Sequence, residues 1–497
     1  MKRMIKLFSA FVLGSAILAA SGMVAEATTE SSYTYNYDYW GDVQDSPDFY
    51  NISKVFTSLD FGLEQGFNAP NGLFVKDQTA YVCDTGNNRI VVLQRTSKEK
   101  FEVVDIVDSV SGNPLNAPTD VAVDDEGNMF IADSGNNHIV KIDKNKNFVM
   151  EFTKPDAQGI DKDAVYTPTK IAIDTAGRVY CIATGVNKGL IKYENDGTFS
   201  GFVGATKTPY DFTDYLYKKF ATQEQRAQME NFVPTEYDNL YMDYEGFIYA
   251  VTGKADPADI KSEKIDAVRK LNLLGSDILV RNGEWPVYGD LYFGSGGGYE
   301  GPSYFTDVTT FENDIYVCLD KNRARLFGYN DQGKMVFAFG GNGNLDGYFR
   351  KPIAIEHMGH DILVLDALDC TISLFTPTEF GTLVYSAIDQ FDDGNYEASE
   401  ASWREVLRID GNYDLAYIGV GRALLRQERY KEAMEYFELK YDGDNYSKAF
   451  KQYRKEWVEK NIAIIIVILL ALFLIPMAIG KYKSIQYEIR TADIFKR

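Results

Sequence analysis

The residues able to do acid–base, nucleophilic or metal chemistry are few, and their spacing does not assemble a reaction centre. Only three histidines occur in 497 residues. His357 and His360 form HMGH, a spacing that suits a metal in principle. No further ligands at metal-site spacing accompany them, and the pair falls between two strand-like runs, so a solvent-exposed turn is expected. His138 follows SGNN where an equivalent stretch carries Arg89, and it reads as a repeat position. Asp84, Asp133, Asp320 and Asp366 each end a strand-like run at equivalent places. Acids so placed could converge on a cation or a sugar, but the expectation is that each caps its own turn by accepting backbone N–H groups. The loop GSGGGYEGP at 294 has no following Lys-Ser/Thr and opens no helix, so it is a flexible link and not a phosphate cradle. Neither a GxSxG elbow nor HExxH is present. Cys83, Cys181 and Cys318 sit inside strand-like runs of different repeats and read as small buried hydrophobes rather than disulfide partners. This inventory assigns no catalytic residue, no metal ligand and no cofactor.

The elements that must position these side chains are repeats. Asn116–Phe152 contains the runs VAVD, MFIAD, HIVKI and FVMEF, separated by the turn segments DEGN, SGNN and DKNKN. Apolar alternation at period two and turn chemistry between the runs predict one four-stranded antiparallel sheet. A sheet with two apolar faces needs neighbours. The pattern recurs behind Pro70, Pro118, Pro168, Pro234, Pro302 and Pro352, at intervals of 48, 50, 66, 68 and 50 residues. Its second-strand signatures are YVCDTGNNRIVVL at 81, FIADSGNNHIVKI at 130, VYCIATGVNKGLIKY at 179, IYAVTG at 248, IYVCLDKNRARLFGY at 315 and ILVLDALDCTISLF at 362. This grammar, with the link FGGNGNLDGYFRKPIAI at 339, resembles NHL-repeat β-propellers and implies six blades over residues 51–376. Ile52–Phe61 stands alone and is expected to complete the last blade from the opposite terminus, removing an exposed edge. Residues 28–50, polar and Tyr-rich, read as an exposed lead-in.

Strand parity puts the GNN-type turns and the links between blades on one face. The insertions Gly204–Val233 and Lys254–Lys264 and the aromatic link Trp285–Tyr304 all fall on that face, where loops carry function. If a small ligand such as a glycan binds, the expected face comprises Asp84, Asn87, Asn88, Asp133, Asn136, Asn137, Trp285, Tyr288, Tyr292, Tyr299 and Tyr304. The aromatic rings would stack on sugar faces, and the acids and amides would supply hydrogen bonds.

After Phe375 the period changes to that of amphipathic helices. Glu379–Asp393, Tyr396–Ile409, Tyr413–Gln427 and Tyr430–Leu439 are predicted helical, with a last helix from Tyr446 to Lys460. A shift of 34 residues superimposes Tyr396 on Tyr430, Ser399 on Ala433 and Trp403 on Phe437. That is the tetratricopeptide period, so residues 377–460 resemble a tetratricopeptide (TPR) pair, and two repeats are expected to lean on another surface. Ile462–Ile479 is uncharged over 18 residues, about 27 Å as a helix, and predicts a transmembrane helix within 461–480. Residues 1–27 carry Lys2, Arg3 and Lys6, then an apolar run, then AEA, the pattern of a secretory signal peptide. That address places the propeller and helical module outside the cytoplasm and the tail 481–497 inside. The net charge of −21 argues against a nucleic-acid partner.

The architecture as a whole resembles NHL–TPR envelope proteins of Gram-positive bacteria. The resemblance implies a membrane-anchored binding or scaffold protein with protein partners, among them a carbohydrate transporter. Its enzymatic rival is a gluconolactonase-like lactone hydrolase, which would need calcium at the mouth of the ring.

Overall fold

A computed structural model describes residues 33–494 apart from 157–159, 161–164, 187–188, 205–236, 253–256 and 263. The expected signal peptide and the insertion Gly204–Val233, beyond its first residue, lie outside the described residues. The chain divides into two compact units, Met1–Thr382 and Leu383–Arg497.

In the first unit the strand runs build a six-bladed β-propeller. The first strands of the blades, Gly72–Lys76, Pro118–Val123, Thr167–Ile173, Asn239–Met242, Phe305–Thr310 and Pro352–Met358, pack side by side around the axis. Blades one, two and three are four-stranded meanders in sequence order. Each is covered on both faces by its neighbours, which is why strands such as Asp361–Asp366 read as near-continuous apolar runs. The seams are stitched by hydroxyl groups: Thr85 Oγ1 donates to Pro118 O at 2.7 Å and Ser134 Oγ to Pro168 O at 2.5 Å. Blade six is closed from the N-terminal side by Tyr50–Phe56, which pairs with Thr371–Pro377 as its fourth strand. The closing strand is thus the expected one, beginning at Tyr50 and ending at Phe56.

Blades four and five depart from the pattern. Blade four has three strands among the described residues, with the short helix Pro257–Lys261 between its second and third. Asp277–Arg281 covers its outer edge. Ile278 N–H donates to Lys270 O at 2.8 Å, Asp277 Oδ1 accepts from Lys270 N–H at 3.2 Å, and Arg281 Nη2 donates to Val268 O at 2.7 Å. Two side chains and one backbone bond therefore do the work of a strand. Blade five has six strands, because Thr34–Tyr37 and Val43–Asp45 add to its outer edge. This corrects the exposed lead-in: Thr34 and Tyr35 are buried. Tyrosine conceals a strand in such a stretch, since its ring enters the core while its hydroxyl keeps a polar partner. The prolines also mislead here. The register equivalent of Pro118 in blade five is Phe305, three residues after the expected proline, and the first strand of blade four begins only at Asn239.

The second unit contains the helices Tyr396–Ile409, Asp414–Arg426, Tyr430–Leu439 and Gly443–Ile494, preceded by the remainder of Glu379–Asp392. The small residues Ser399 and Ala433 are buried at corresponding places, and so are the large ones, Trp403 and Phe437. Both aromatic rings press on glycines of Asp414–Arg426. A Cβ at Gly419 would lie 2.4 Å from the Trp403 ring, and one at Gly421 would lie 2.6 Å from that of Phe437. The last helix runs without interruption for 52 residues and contains the apolar stretch, none of which is buried in the protein. It is the one helix among the described residues long and apolar enough to cross a membrane.

Candidate ligand-binding face

The strand-ending acids are spent on backbone. Asp84 is fully buried; its Oδ1 accepts the N–H of Asn68 at 2.8 Å, and its Oδ2 accepts from Asn87 Nδ2 at 2.8 Å and Arg89 Nε at 2.7 Å. Asp133 repeats the arrangement with Asn116 N–H at 2.7 Å, Asn136 Nδ2 at 2.7 Å and His138 Nε2 at 3.3 Å. Each acid thus ties its turn to the link entering its own blade, so the cap reaches further than a single turn. Asn88 and Asn137 hold left-handed backbone at φ 55° and 60°. Their side chains face the next blade, where Asn88 Oδ1 accepts from Ala117 N–H at 2.8 Å and Asn137 Oδ1 from Thr167 Oγ1 at 3.1 Å. Asn88, Asn136 and Asn137 remain exposed on this face.

The aromatic link is not gathered there as expected. It starts at the other end of blade five, where Asn282 N–H donates to Gln332 O and Lys334 pairs with Glu284 at 2.5 Å. Trp285 sits at that end, its Nε1 donating to Asp38 O at 3.0 Å. Blade four has three strands among the described residues, so the link leaves it at the end opposite to the one that four-strand parity predicts. Tyr288 is half-buried and packs on the seam of blades four and five. Only toward its end does the link reach the GNN-type face. Tyr299 lies there under the Arg323 guanidinium at 4.2 Å, Tyr304 N–H donates to Asp320 Oδ1 at 2.9 Å, and Tyr292 is exposed.

The residue that fixes this link is one sequence reasoning missed. Asp290 is buried and accepts from Arg323 Nη1 at 2.6 Å, Arg325 Nη1 at 2.8 Å, Tyr37 Oη at 2.8 Å and the Tyr35 hydroxyl. Burial alone would raise its carboxyl, but Arg325 and Arg323 hold it below the usual carboxylate range. This recruitment has a local cost. Arg323 and Arg325 stand at the register positions of Asn87 and Arg89, which serve Asp84 Oδ2. With both turned to Asp290, Asp320 Oδ2 has no hydrogen-bond partner among the described residues, and burial foremost pushes the Asp320 carboxyl up to about 6.

HMGH also differs from expectation. His357 lies within the first strand of blade six and not in a turn; its Nδ1 meets Thr309 Oγ1 at 2.7 Å, and burial foremost lowers it to about 4. His360 alone is exposed in the turn that follows. Among the described residues no group of three or more His, Cys, Asp and Glu is placed to hold a metal ion. All four cysteines are free.

The acid, GNN turn and third strand recur as a unit, and one copy matches a known family over residues 115–142, from the link into blade two to the end of its third strand. That copy is an NHL repeat. No curated protein matches the chain. Among solved structures, the propeller is similar to virginiamycin B lyase from Staphylococcus aureus, with 12% identity, TM-score 0.38 and coverage of 66% of this chain and 99% of that one. A streptogramin B lyase is similar at 13% identity and TM-score 0.39, covering 65% and 98%. A protein of unknown function from Bacteroides thetaiotaomicron is similar at 10% identity and TM-score 0.37, covering 69% and 76%. At these scores the likeness adds nothing to the fold already traced.

Proposed function

We propose that this protein is a single-pass membrane protein that displays an NHL propeller and a tetratricopeptide-like helical pair outside the cytoplasm, where they hold protein partners of the cell envelope. The observation that carries the reading is the helix Gly443–Ile494. It begins among the packed helices of the second unit and continues, without a linker, into an apolar stretch that the protein leaves uncovered. Hydrocarbon is the medium that suits such a surface. A continuous helix also ties the helical pair to the bilayer without a hinge.

The tetratricopeptide reading rests on the 34-residue shift that places small on small and large on large, Ser399 with Ala433 and Trp403 with Phe437. On the propeller, the acids of the GNN-type face are engaged in its own construction. Groups exposed to a partner there include the side chains of Asn88, Asn136 and Asn137 and the ring of Tyr292. Binding by such a surface needs no reaction centre. The partners proposed are envelope proteins, a carbohydrate transporter first among them.

Crosslinking in intact membranes, followed by identification of the captured proteins, tests this. Recovery of the same envelope proteins in repeated captures, transporter subunits included, is expected. Captures no richer than those of a control with residues 443–494 alone would overturn it.

A further inference from the structure

The propeller axis is lined with charge. In four blades the first strand carries a register shift after its first residues, between Pro118 and Asp120, Pro168 and Lys170, Phe305 and Asp307, and Pro352 and Ala354. The residue after the shift meets the neighbouring first strands. Around the ring these positions hold Gly72, Asp120, Lys170, Asn239, Asp307 and Ala354, and Glu356 follows two residues further along blade six. Asp120 Oδ2 accepts Ile171 N–H of the next blade at 2.8 Å, and its Oδ1 is 3.9 Å from Lys170 Nζ. Asp307 Oδ1 accepts from Asn239 Nδ2 at 2.6 Å, and its Oδ2 accepts Ile355 N–H of the next blade at 2.8 Å. Glu356 faces the Val75 N–H of blade one, which favours its charged form. Asp120 and Asp307 thus each bond one blade to the following one, and Glu356 faces the amide of the following blade at the seam where the ring closes.

Three carboxylates face a single ammonium here, all of them buried. In a low-dielectric site such an excess of one charge is relieved by protons. We propose that the propeller axis is a proton-binding site in which Glu356 and Asp307 hold the ring closed while protonated, and that loss of those protons loosens the seams of blade six with blades one and five. The charged and titratable groups facing Glu356 come from the surrounding blades: Asp120 from blade two, Lys170 from blade three, Tyr241 from blade four and Asp307 from blade five. Blade one offers Cys83, which burial foremost raises and which lies in the field of Asp120 and Lys170, and His357 on the strand of Glu356 turns to Thr309.

The direction of the pH effect follows from the shifts. Burial, with Asp307 and Asp120 adding to it, raises Glu356 well above the carboxylate range, and burial foremost pushes Asp307 up to about 7. Burial would lower Lys170, but Asp120 and Asp307 outweigh it and raise the group, so the ammonium persists. Acids raised in the fold stabilise it fully below their unfolded value of about 4, and that stability is lost as pH rises through the folded value.

Hydrogen exchange on the full chain in lipid nanodiscs tests the proposal through the amides of Val75 and Ile355. Their protection factors, corrected for intrinsic base catalysis, are expected to fall above pH 7, by up to about tenfold per pH unit for one proton. Glu356→Gln should abolish the fall at Val75 while leaving protection at pH 5 unchanged. Lys170→Met should move the fall to higher pH, because removing the cation holds the protons more tightly. Protection that is flat between pH 5 and pH 9 in the parent would overturn the proposal, as would a Glu356→Gln chain that keeps the parent's slope. A Glu356→Gln chain that fails to fold even at pH 5 would also overturn it, since the amide mimics the protonated acid.

Discussion

At the scale of single residues, the chain's buried charges are organisers. Asp290 joins the link between blades four and five to two arginines and to two tyrosines of the N-terminal strand. Removing one member of a buried pair strands the other, at about 3–5 kcal/mol. Asp290→Asn therefore should release Thr34–Tyr37 from blade five, and chymotrypsin should cut at Tyr35 and Tyr37, which the parent protects. Continued protection would show that strand pairing alone holds the segment. None of this was legible in the sequence, because Asp290 meets partners 33, 35, 253 and 255 positions away and no local pattern marks it. The acids that end strands were legible as a repeated position. Their target was not, since reading a carboxylate's partner requires knowing which link folds back over the turn.

At the scale of elements, the sequence announces blades one, two, five and six through period-two runs and turn residues, and the closing strand through its isolation; blades three and four are degenerate in that grammar. Where a blade departs from four strands, the inference from parity breaks. Blade four substitutes Asp277 and Arg281 for a strand, and the aromatic link then begins on the other face, taking Trp285 away from the amides it was expected to join. Closure of blade six lends itself to a quantitative test. Tyr50 is buried in the closing strand, stacks on Phe339 at 5.2 Å and donates its hydroxyl to His360 O at 3.0 Å. Truncating a large buried aromatic costs about 3–5 kcal/mol. Tyr50→Ala should therefore lower the unfolding midpoint of the propeller in urea and speed exchange of the Thr371–Pro377 amides ahead of those in blade two. Equal acceleration in both blades would show that the closing strand is not where the ring opens.

At the scale of the whole molecule, one chain carries a propeller, a set of packed helices and an apolar helix. Their order was legible because each has its own period: two in the strands, about 3.6 in the helices, and none in the apolar run. The charges flanking the apolar stretch are basic on both sides, so the proposed orientation rests on the expected N-terminal signal pattern alone. The account stands or falls on the propeller being displayed outside the cytoplasm. Labelling of intact cells with a membrane-impermeant maleimide measures this directly, because Cys83, Cys181 and Cys318 are buried and Cys370 can be replaced by Ser. With single cysteines introduced at exposed sites, Leu345→Cys in the propeller should label in intact cells, and Tyr487→Cys beyond the apolar stretch should label only after lysis. Labelling of Tyr487→Cys in intact cells, with Leu345→Cys protected until lysis, would contradict the account.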